Sequence, residues 1–230
     1  MEAGKGDMKN LMIHISLRGM FHGEYDSLVK IQIDNSLAFG WKDILLVTNF
    51  DYEYKGIKSF VVGNSNFCDF WPRTSKINVI LDLFNRGMVD DLIWYHDLDA
   101  FQLRKLEPNI KGYDMGIVTY GHARKTTKAE WNSGSFFFNK GAGKIFKAIR
   151  NYVYKHKTDE EQAFIEVDKS RVKELNKTYN FGVSGFHMNK TISERPIRVA
   201  HFHPHKKNHM KLFKPLLTKR LINVFKQYEL

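Results

Sequence analysis

The stretch DDLIWYHDLDAFQ, residues 90–102, decides how the rest of the sequence is interpreted. Its apolar centre, LIW, is typical of a strand that is buried on both faces of a sheet. Asp97 and Asp99 follow that strand with a single residue between them. In open α/β sheets, ligands bind at the carboxyl ends of the strands. The stretch therefore predicts an interior strand that ends in two carboxylates at a ligand-binding edge.

The remainder of the chain alternates short apolar runs with longer segments of helical periodicity, which is typical of the α/β class. No repeat or linker divides the 230 residues, so we expect a flexible lead over residues 1–10 and a single domain over residues 11–230. The predicted strands are residues 11–17, 43–49, 56–62, 91–97, 114–120, 133–139 and 198–203. The predicted helices are residues 25–39, 77–87, 145–152, 158–164 and a basic amphipathic helix at about 214–228.

Composition restricts the class of the protein and of its partners. The chain has 43% hydrophobic and 14% aromatic residues, which is enough for a real core. Its formal net charge of +11 favours an acidic partner, such as nucleic acid, an anionic membrane surface or a phosphorylated small molecule. The single cysteine, Cys68, excludes an intrachain disulfide framework. Because no apolar leader or membrane-length run is present either, we expect a reducing, cytoplasmic location.

The two aspartates of D-L-D suit the binding of a metal ion. In an extended segment, alternation would place the carboxylates of Asp97 and Asp99 on the same side, a short reach apart. Such a pair suits a hard divalent cation that is shared with waters and a phosphate oxygen. An isolated D-x-D after a strand is more often a turn or a helix cap. The interior strand and the aromatic flanks favour a site here.

Two further segments carry side chains that suit binding. AHFHPHKKNH, residues 200–209, combines four histidines with two lysines that would neutralise phosphate. Zinc is the weaker interpretation of this segment, because no cysteine pair or H-E-x-x-H accompanies it, and a solvated basic turn is the alternative. In WNSGSFFFNKG, residues 131–141, a turn at Ser133 and Gly134 would let a flat ligand approach the backbone, while Asn132 offers donors and an acceptor.

The segment TDEEQAF, residues 158–164, supports a structural and a functional interpretation. Thr158 followed by Glu161 predicts a capping box at the start of a helix. The acids together with Gln162 would also suit hydrogen bonding to sugar hydroxyls, or a general base. The sequence by itself leaves both interpretations open.

In content and order, these motifs resemble the GT-A family of nucleotide-sugar glycosyltransferases. The motifs are D-L-D, N-S-G-S-F-F-F-N, D-E-E-Q and H-F-x-P-x-K, and the resemblance spans residues 11–207. It is greatest to small enzymes of the LgtC and glycogenin type and to glycosyltransferase domains of large algal viruses, which would place the protein in an infected host cell. It implies a Rossmann-like, mostly parallel sheet flanked by helices. It also implies sugar transfer from a nucleoside-diphosphate donor, expected to be a UDP-sugar, to a hydroxyl of a glycan or glycoconjugate.

The resemblance implies a role for each matching residue. Asp97 and Asp99 match the D-x-D that holds Mn²⁺ or Mg²⁺, His201 matches the third protein ligand, and Asp159 and Glu160 match the acidic segment at the reacting carbon. The residues implied to contact the donor or the acceptor are His14, Arg73, Lys76, Asn132, Ser133, Gly134, Gln162 and Lys206. The sequence DEEQ departs from the D-Q-D or D-E-Q of many relatives, which leaves open which acid acts.

The stereochemistry of the implied transfer depends on the face from which the acceptor approaches. Relatives with a C-terminal histidine ligand retain the anomeric configuration, and this favours retention here. An inverting enzyme would instead need a carboxylate base aligned with the acceptor hydroxyl, for which Asp159 or Glu160 is the candidate.

Two alternatives come from other classes of protein. A basic nucleic-acid-binding or metal-dependent nuclease domain would also explain the charge and the paired aspartates. It does not predict N-S-G followed by D-E-E-Q, so we expect no nucleic-acid partner. The amphipathic tail would permit peripheral contact with a membrane, although packing of its apolar face on the domain is the commoner outcome.

Overall fold

The computed structural model describes residues 8–120, 130–183 and 195–228, and this part of the chain contains both α-helices and β-strands. The α-helices are α1 (Glu24–Ala38), α2 (Ser75–Asn85), α3 (Gly143–His156), α4 (Glu160–Ala163), α5 (Lys207–Phe213) and α6 (Lys219–Gln227). The strands are β1 (Lys9–His14), β2 (Ile44–Thr48), β3 (Glu53–Tyr54), β4 (Ile57–Lys58), β5 (Phe60–Val61), β6 (Ile93–His96), β7 (Ala100–Gln102), β8 (Met115–Thr119), β9 (Trp131–Phe138), β10 (Val172–Glu174), β11 (Phe181–Gly182) and β12 (Val199–His201). Among these described helices, none has the length and apolar character needed to cross a bilayer.

Within the described residues, seven strands form the central sheet in the order β10-β8-β9-β6-β1-β2-β5. Strands β6, β1, β2 and β5 run parallel to one another, and β10 is parallel to β8. Strand β9 is antiparallel to both of its neighbours, β6 and β8. Its amino end therefore lies at the same edge as the carboxyl ends of β1 and β6. This arrangement confirms the predicted α/β class with a mostly parallel sheet flanked by helices.

A smaller sheet of three described strands lies beside this edge, in the order β11-β12-β7. Strand β12 runs antiparallel to β7, with His201 opposite Ala100. Strands β7, β10 and β11 were not predicted, because at two or three residues each they are too short to show a periodicity. The predicted strand at 56–62 is divided between β4 and β5.

Helices cover both faces of the central sheet. Helices α2 and α3 pack on one face through residues such as Ile80 and Ile149, which are fully buried with Phe136. Helices α1 and α6 pack in a second cluster. All four residues of β6 are buried, with Tyr95 in the first cluster and Trp94 in a third. The prediction that this strand is interior is therefore confirmed.

The chain enters the sheet earlier than the sequence predicted. Strand β1 already begins at Lys9, and Asn10 is fully buried, with its side chain donating a hydrogen bond to Ser36 Oγ at 2.8 Å. Residues 9 and 10 thus belong to the fold and not to the flexible lead predicted for residues 1–10. The first seven residues of that predicted lead lie outside the described residues.

The predicted helix at 214–228 is broken in two. A 3₁₀ turn covers Lys214–Leu216, and α6 starts afresh after Thr218, whose hydroxyl accepts a hydrogen bond from Leu221 N at 3.2 Å. The apolar side chains of α6 are buried in the core, where the Phe225 ring meets the Phe101 ring edge-on at a centroid distance of 5.0 Å. The apolar face that would contact a membrane is therefore packed on the domain, and the exposed face of α6 is basic.

We expect Phe225→Ala to lower the free energy of unfolding by about 3–5 kcal/mol, because the ring is buried and its removal leaves a cavity in the core. Chemical denaturation of the purified protein measures this change. The neighbouring exposed substitution Lys226→Ala is the control, with an expected effect within about 0.5 kcal/mol. A small effect of Phe225→Ala would mean that α6 does not pack on the domain as described.

Candidate functional site

An open cleft of about 850 Å³ lies where the carboxyl ends of β1 and β6 meet the amino end of β9. Such a volume suits a small-molecule ligand. Twelve of the predicted site residues line it, namely His14, Arg73, Lys76, Asp97, Asp99, Asn132, Ser133, Gly134, Asp159, Glu160, His201 and Lys206. The exception is Gln162, which is not among the lining residues and directs its side-chain amide to Asp159 Oδ2 at 3.3 Å.

The two aspartates lie close together, but not because the segment is extended. Leu98 and Asp99 form a turn between β6 and β7, and Ala100 N donates to Asp97 O at 3.0 Å. The expected alternation along a strand is therefore wrong. The turn nevertheless brings the two carboxylates close together, because it folds Asp99 back beside Asp97 in the cleft.

Backbone pairing brings His201 to this turn. Strand β12 pairs with β7, which starts at the residue after Asp99, and Phe202 N donates to Asp99 O at 2.9 Å. His201 Nε2 consequently lies 3.2 Å from Asp99 Oδ1 and 4.0 Å from Asp97 Oδ2. Its Nδ1 lies 3.1 Å from Asn180 Oδ1, which fixes the orientation of the ring.

The three side chains fit a divalent cation. One ligating atom from each of Asp97, Asp99 and His201 can be chosen so that all lie within 4.8 Å of one another. Burial would raise the pKa of Asp99, but the neighbouring His201 and His203 hold it well below its usual range. Burial likewise opposes protonation of His201, yet Asp99 raises its pKa. Two carboxylates and one imidazole are a suitable donor set for Mn²⁺ or Mg²⁺.

Gly134 provides the space for His201. A Cβ atom at this position would lie 2.0 Å from His201 Cε1, so the histidine ring occupies the place of the missing side chain. Strand β9 also bulges at this point, because Ile117 pairs with Phe136 whereas the next residue, Val118, pairs with Asn132. The bulge interrupts the pairing of residues 133–135 with β8, and Ser133 and Gly134 line the cleft. Ser133 and Gly134 therefore lie in a bulge within β9, and the prediction of a turn ahead of the strand is wrong.

A buried lysine lies under the cleft. Lys76 Nζ is 3.0 Å from Glu160 Oε1 and 3.4 Å from Asp97 Oδ1, and it also donates to Ser133 Oγ at 3.0 Å. Its side chain is only 7% exposed, and that of Glu160 only 4%. Burial would lower the pKa of Lys76, but Asp97 and Glu160 raise it above its ordinary value. Lys76 is therefore a permanent cation that joins α2, β9 and α4.

The D-E-E-Q segment is arranged differently from the predicted capping box. The N-cap of α4 is Asp159, whose Oδ1 accepts from Gln162 N at 2.8 Å, and not Thr158. Glu161, predicted to complete the capping box, instead faces the cleft, where it accepts from Tyr120 Oη at 2.9 Å and from Ser133 N at 3.0 Å. The sequence grouped Glu161 with the other acids of this segment as suited to sugar binding, but the resemblance gave named roles only to Asp159, Glu160 and Gln162.

The two glutamates have opposite electrostatic environments. Burial would raise the pKa of Glu160, but Lys76 holds it below its ordinary value. Burial raises the pKa of Glu161, and the charge of Glu160 adds to this effect. Glu160 is therefore held ionised, whereas Glu161 is the more readily protonated of the two.

His14 lies in an aromatic pocket at the other end of the cleft. Its ring lies 4.7 Å from the Phe21 ring and 4.8 Å from the Tyr25 ring, measured between centroids. Burial, with a contribution from His22, lowers the pKa of His14 to about 4, so the imidazole is neutral at pH 7. His14 Nε2 is buried, and it has no hydrogen-bond partner among the described residues. The pocket could therefore accept a flat, polar-edged ligand.

Exposed cations and an aromatic side chain line the rim of the cleft. Arg73 lies in the 3₁₀ turn Pro72–Thr74 before α2, and Lys206 follows β12. Both are exposed and both line the cleft, as does Trp71, of which 40% is exposed. The rim thus combines charges that suit phosphate with an apolar ring.

We expect Gly134→Ala to weaken Mn²⁺ binding at least about tenfold, because the new methyl group must displace the His201 ring from Asp99 and Asn180. Calorimetric titration of Mn²⁺ measures the change. The matched control is Gly182→Ala, whose Cβ would meet Asn132 Nδ2 at an ordinary 3.7 Å. Equal affinity in the two variants would contradict the assignment of His201 as a ligand.

We expect Lys76→Met to lower the free energy of unfolding by about 3–5 kcal/mol, because it leaves Glu160 and Asp97 without their buried counter-charge. Urea denaturation at neutral pH measures the loss. Lys105→Met removes a lysine from the exposed pair with Glu107, whose side chains are 80% and 58% exposed. This control should cost less than about 1 kcal/mol. Similar losses in both variants would argue against a special role of the buried cation.

Comparison with known proteins gives no match in sequence and several in structure. No protein-family model matches the chain, and no curated protein is significantly similar to it. The galactosyltransferase LgtC, in complex with donor and acceptor sugar analogues, matches with a TM-score of 0.61 at 13% identity, over 94% of this chain and 99% of that one. The glycosyltransferase GlyE of Streptococcus pneumoniae TIGR4 matches with a TM-score of 0.58 at 13% identity, over 96% and 63% of the respective chains.

A third solved structure also resembles this chain. A glycosyltransferase involved in glycosylation of the major capsid of PBCV-1 matches with a TM-score of 0.53 at 11% identity, over 92% of this chain and 99% of that one. At such identities the likeness concerns the fold. The chain therefore has a GT-A-like glycosyltransferase fold, as its motifs had indicated.

Proposed function

We propose that the protein is a metal-dependent glycosyltransferase that moves a sugar from a nucleoside-diphosphate donor to a hydroxyl of a glycan or glycoconjugate. The observation that carries the proposal is the convergence of Asp97, Asp99 and His201 at the carboxyl end of the interior strand. Lys206 lines the same cleft. An oxygen-rich cation site next to a lysine suits a diphosphate group.

The residues of the chain would each serve the departure of the nucleoside diphosphate. Asp97, Asp99 and His201 would hold Mn²⁺ or Mg²⁺. When bound, this cation would neutralise negative charge on the diphosphate. Lys206 and Arg73 would add positive charge from the rim, where the leaving group becomes more negative as the glycosidic bond breaks. His14 and its aromatic neighbours would hold the base, and a UDP-sugar remains the expected donor by resemblance.

The acids of the cleft would act on the sugar and not on the diphosphate. Glu160, held ionised by Lys76, would stabilise the positive charge that develops on the sugar ring. Glu161, whose pKa is raised by burial, would hydrogen-bond to a sugar hydroxyl, as an acceptor when ionised and as a donor when protonated. Asp159 lines the cleft while it caps α4, so its role would be to position this pair.

Retention of the anomeric configuration is part of the proposal, and it rests on the resemblance to enzymes with a C-terminal histidine ligand. The acceptor is inferred only as a class. LgtC has been solved with donor and acceptor sugar analogues, and the PBCV-1 enzyme is involved in glycosylation of a capsid protein. By analogy, the open cleft and its exposed Trp71 would receive a sugar-containing acceptor.

The test is calorimetric titration of UDP, GDP and their sugars, each with and without Mn²⁺, into the protein and into Asp99→Asn. We expect one nucleotide to bind only with the metal, and its affinity to fall at least about 100-fold in the variant. Loss of an indirect partner of a metal ligand already costs about 10- to 100-fold. Hydrolysis or transfer assays with the preferred donor would then identify the acceptor.

The control is Asp90→Asn, which makes the same chemical change at an exposed aspartate paired with Lys9. It should leave nucleotide binding unchanged. If no nucleotide binds under either condition while DNA or RNA does, the transferase proposal is wrong and the nucleic-acid alternative takes its place.

A further inference from the structure

A second group of metal-ligating side chains lies beside the first, outside the set used above. Glu24 is the first residue of α1, while His203 and His205 flank Pro204 in the turn that follows β12. These elements come from opposite ends of the described chain. Their meeting is not explained by core packing, because all three side chains are polar and partly exposed.

The geometry of this group permits the three side chains to share one metal ion. One ligating atom from each of Glu24, His203 and His205 can be chosen so that all lie within 4.8 Å of one another. Glu24 Oε2 lies 2.9 Å from His205 Nδ1, and the His203 and His205 rings are 5.5 Å apart between centroids. Their side chains are 28% to 40% exposed, so an ion could enter from solvent and keep a water as a further ligand.

The donor set separates this group from the first. Two imidazoles and one carboxylate are a familiar zinc-binding combination with an open fourth position. Nitrogen donors favour Zn²⁺ and Co²⁺ over Mg²⁺, whereas two carboxylates and one histidine suit hard cations. We propose that Glu24, His203 and His205 form a second, transition-metal site that prefers Zn²⁺ and is distinct from the Asp97–Asp99–His201 site.

The two sites adjoin at one residue. His203 Nδ1 lies 2.9 Å from Asp99 Oδ2, while His201 contacts the other oxygen of the same carboxylate. A metal at the second site would therefore join the turn that carries His203 and Lys206 to the start of α1. Since Lys206 lines the cleft, the second metal would fix one of the cations that face the ligand.

The test uses Co²⁺ as a spectroscopic stand-in for Zn²⁺, in protein without a histidine tag and in the Asp97→Asn background, which disables the first site. We expect one equivalent of Co²⁺ to remain bound, with visible absorption of imidazole-ligated cobalt, and Zn²⁺ to displace it. Adding His205→Ala should abolish that equivalent. The substitution Glu24→Gln in the same background removes a ligand that lies on a different element, and it should weaken cobalt binding at least about tenfold. This second variant replaces His205→Ala in the test if His205→Ala does not fold.

The matched control is His209→Ala, which removes a histidine whose ring stacks on His203 at 5.7 Å but which is not in the ligand group. It should keep the cobalt equivalent. The proposal is overturned if the Asp97→Asn protein binds no cobalt, or if both ligand variants bind it as the parent does. Because the readout is metal binding with the first site disabled, this result is independent of whether the protein binds nucleotides or transfers sugar.

Discussion

The cleft depends on the contacts of one buried ammonium group, that of Lys76. This group lies against carboxylates from the turn after β6 and from the start of α4, and against the hydroxyl of Ser133 in the bulge of β9. Burying Glu160 without a counter-charge would be costly, because an ion loses its hydration in the protein interior. The lysine offsets that cost and also attracts the partly exposed carboxylate of Asp97. The protein can therefore collect several carboxylates at one sheet edge without mutual repulsion opening it.

Backbone pairing sets the second requirement of the site, the position of the histidines. Because β12 pairs with β7 immediately after the D-L-D turn, His201 is held beside Asp99 by main-chain hydrogen bonds and not by side-chain attraction alone. The turn after this strand then places His203 beside the other oxygen of Asp99. One carboxylate thereby separates an oxygen-rich group of ligands from a nitrogen-rich one. The difference in donor chemistry gives the two groups different metal preferences.

Much of this arrangement could be predicted from the sequence, and the remainder depends on contacts between distant segments. The interior strand, the α/β class and the cleft position of Asp97 and Asp99 follow from local apolar runs and the edge at which parallel strands end. Very short strands such as β7 and β11 have no periodicity to detect. The role of Glu161 depends on Tyr120 and Ser133, which lie far from it in sequence, and so a capping box was the better local interpretation.

The order of assembly follows from where the ligands lie along the chain. Glu24 is made early, the D-L-D turn midway, and β12 with its histidines only after all seven described strands of the central sheet. A chain that folds as it leaves the ribosome would thus complete its sheet while the cleft still lacks imidazole ligands. The carboxylates of Asp97 and Asp99 would already be in place and could attract a cation. The imidazole ligand would be added only when β12 pairs with β7. Competence to hold a metal would then mark a domain whose central sheet has already been synthesised.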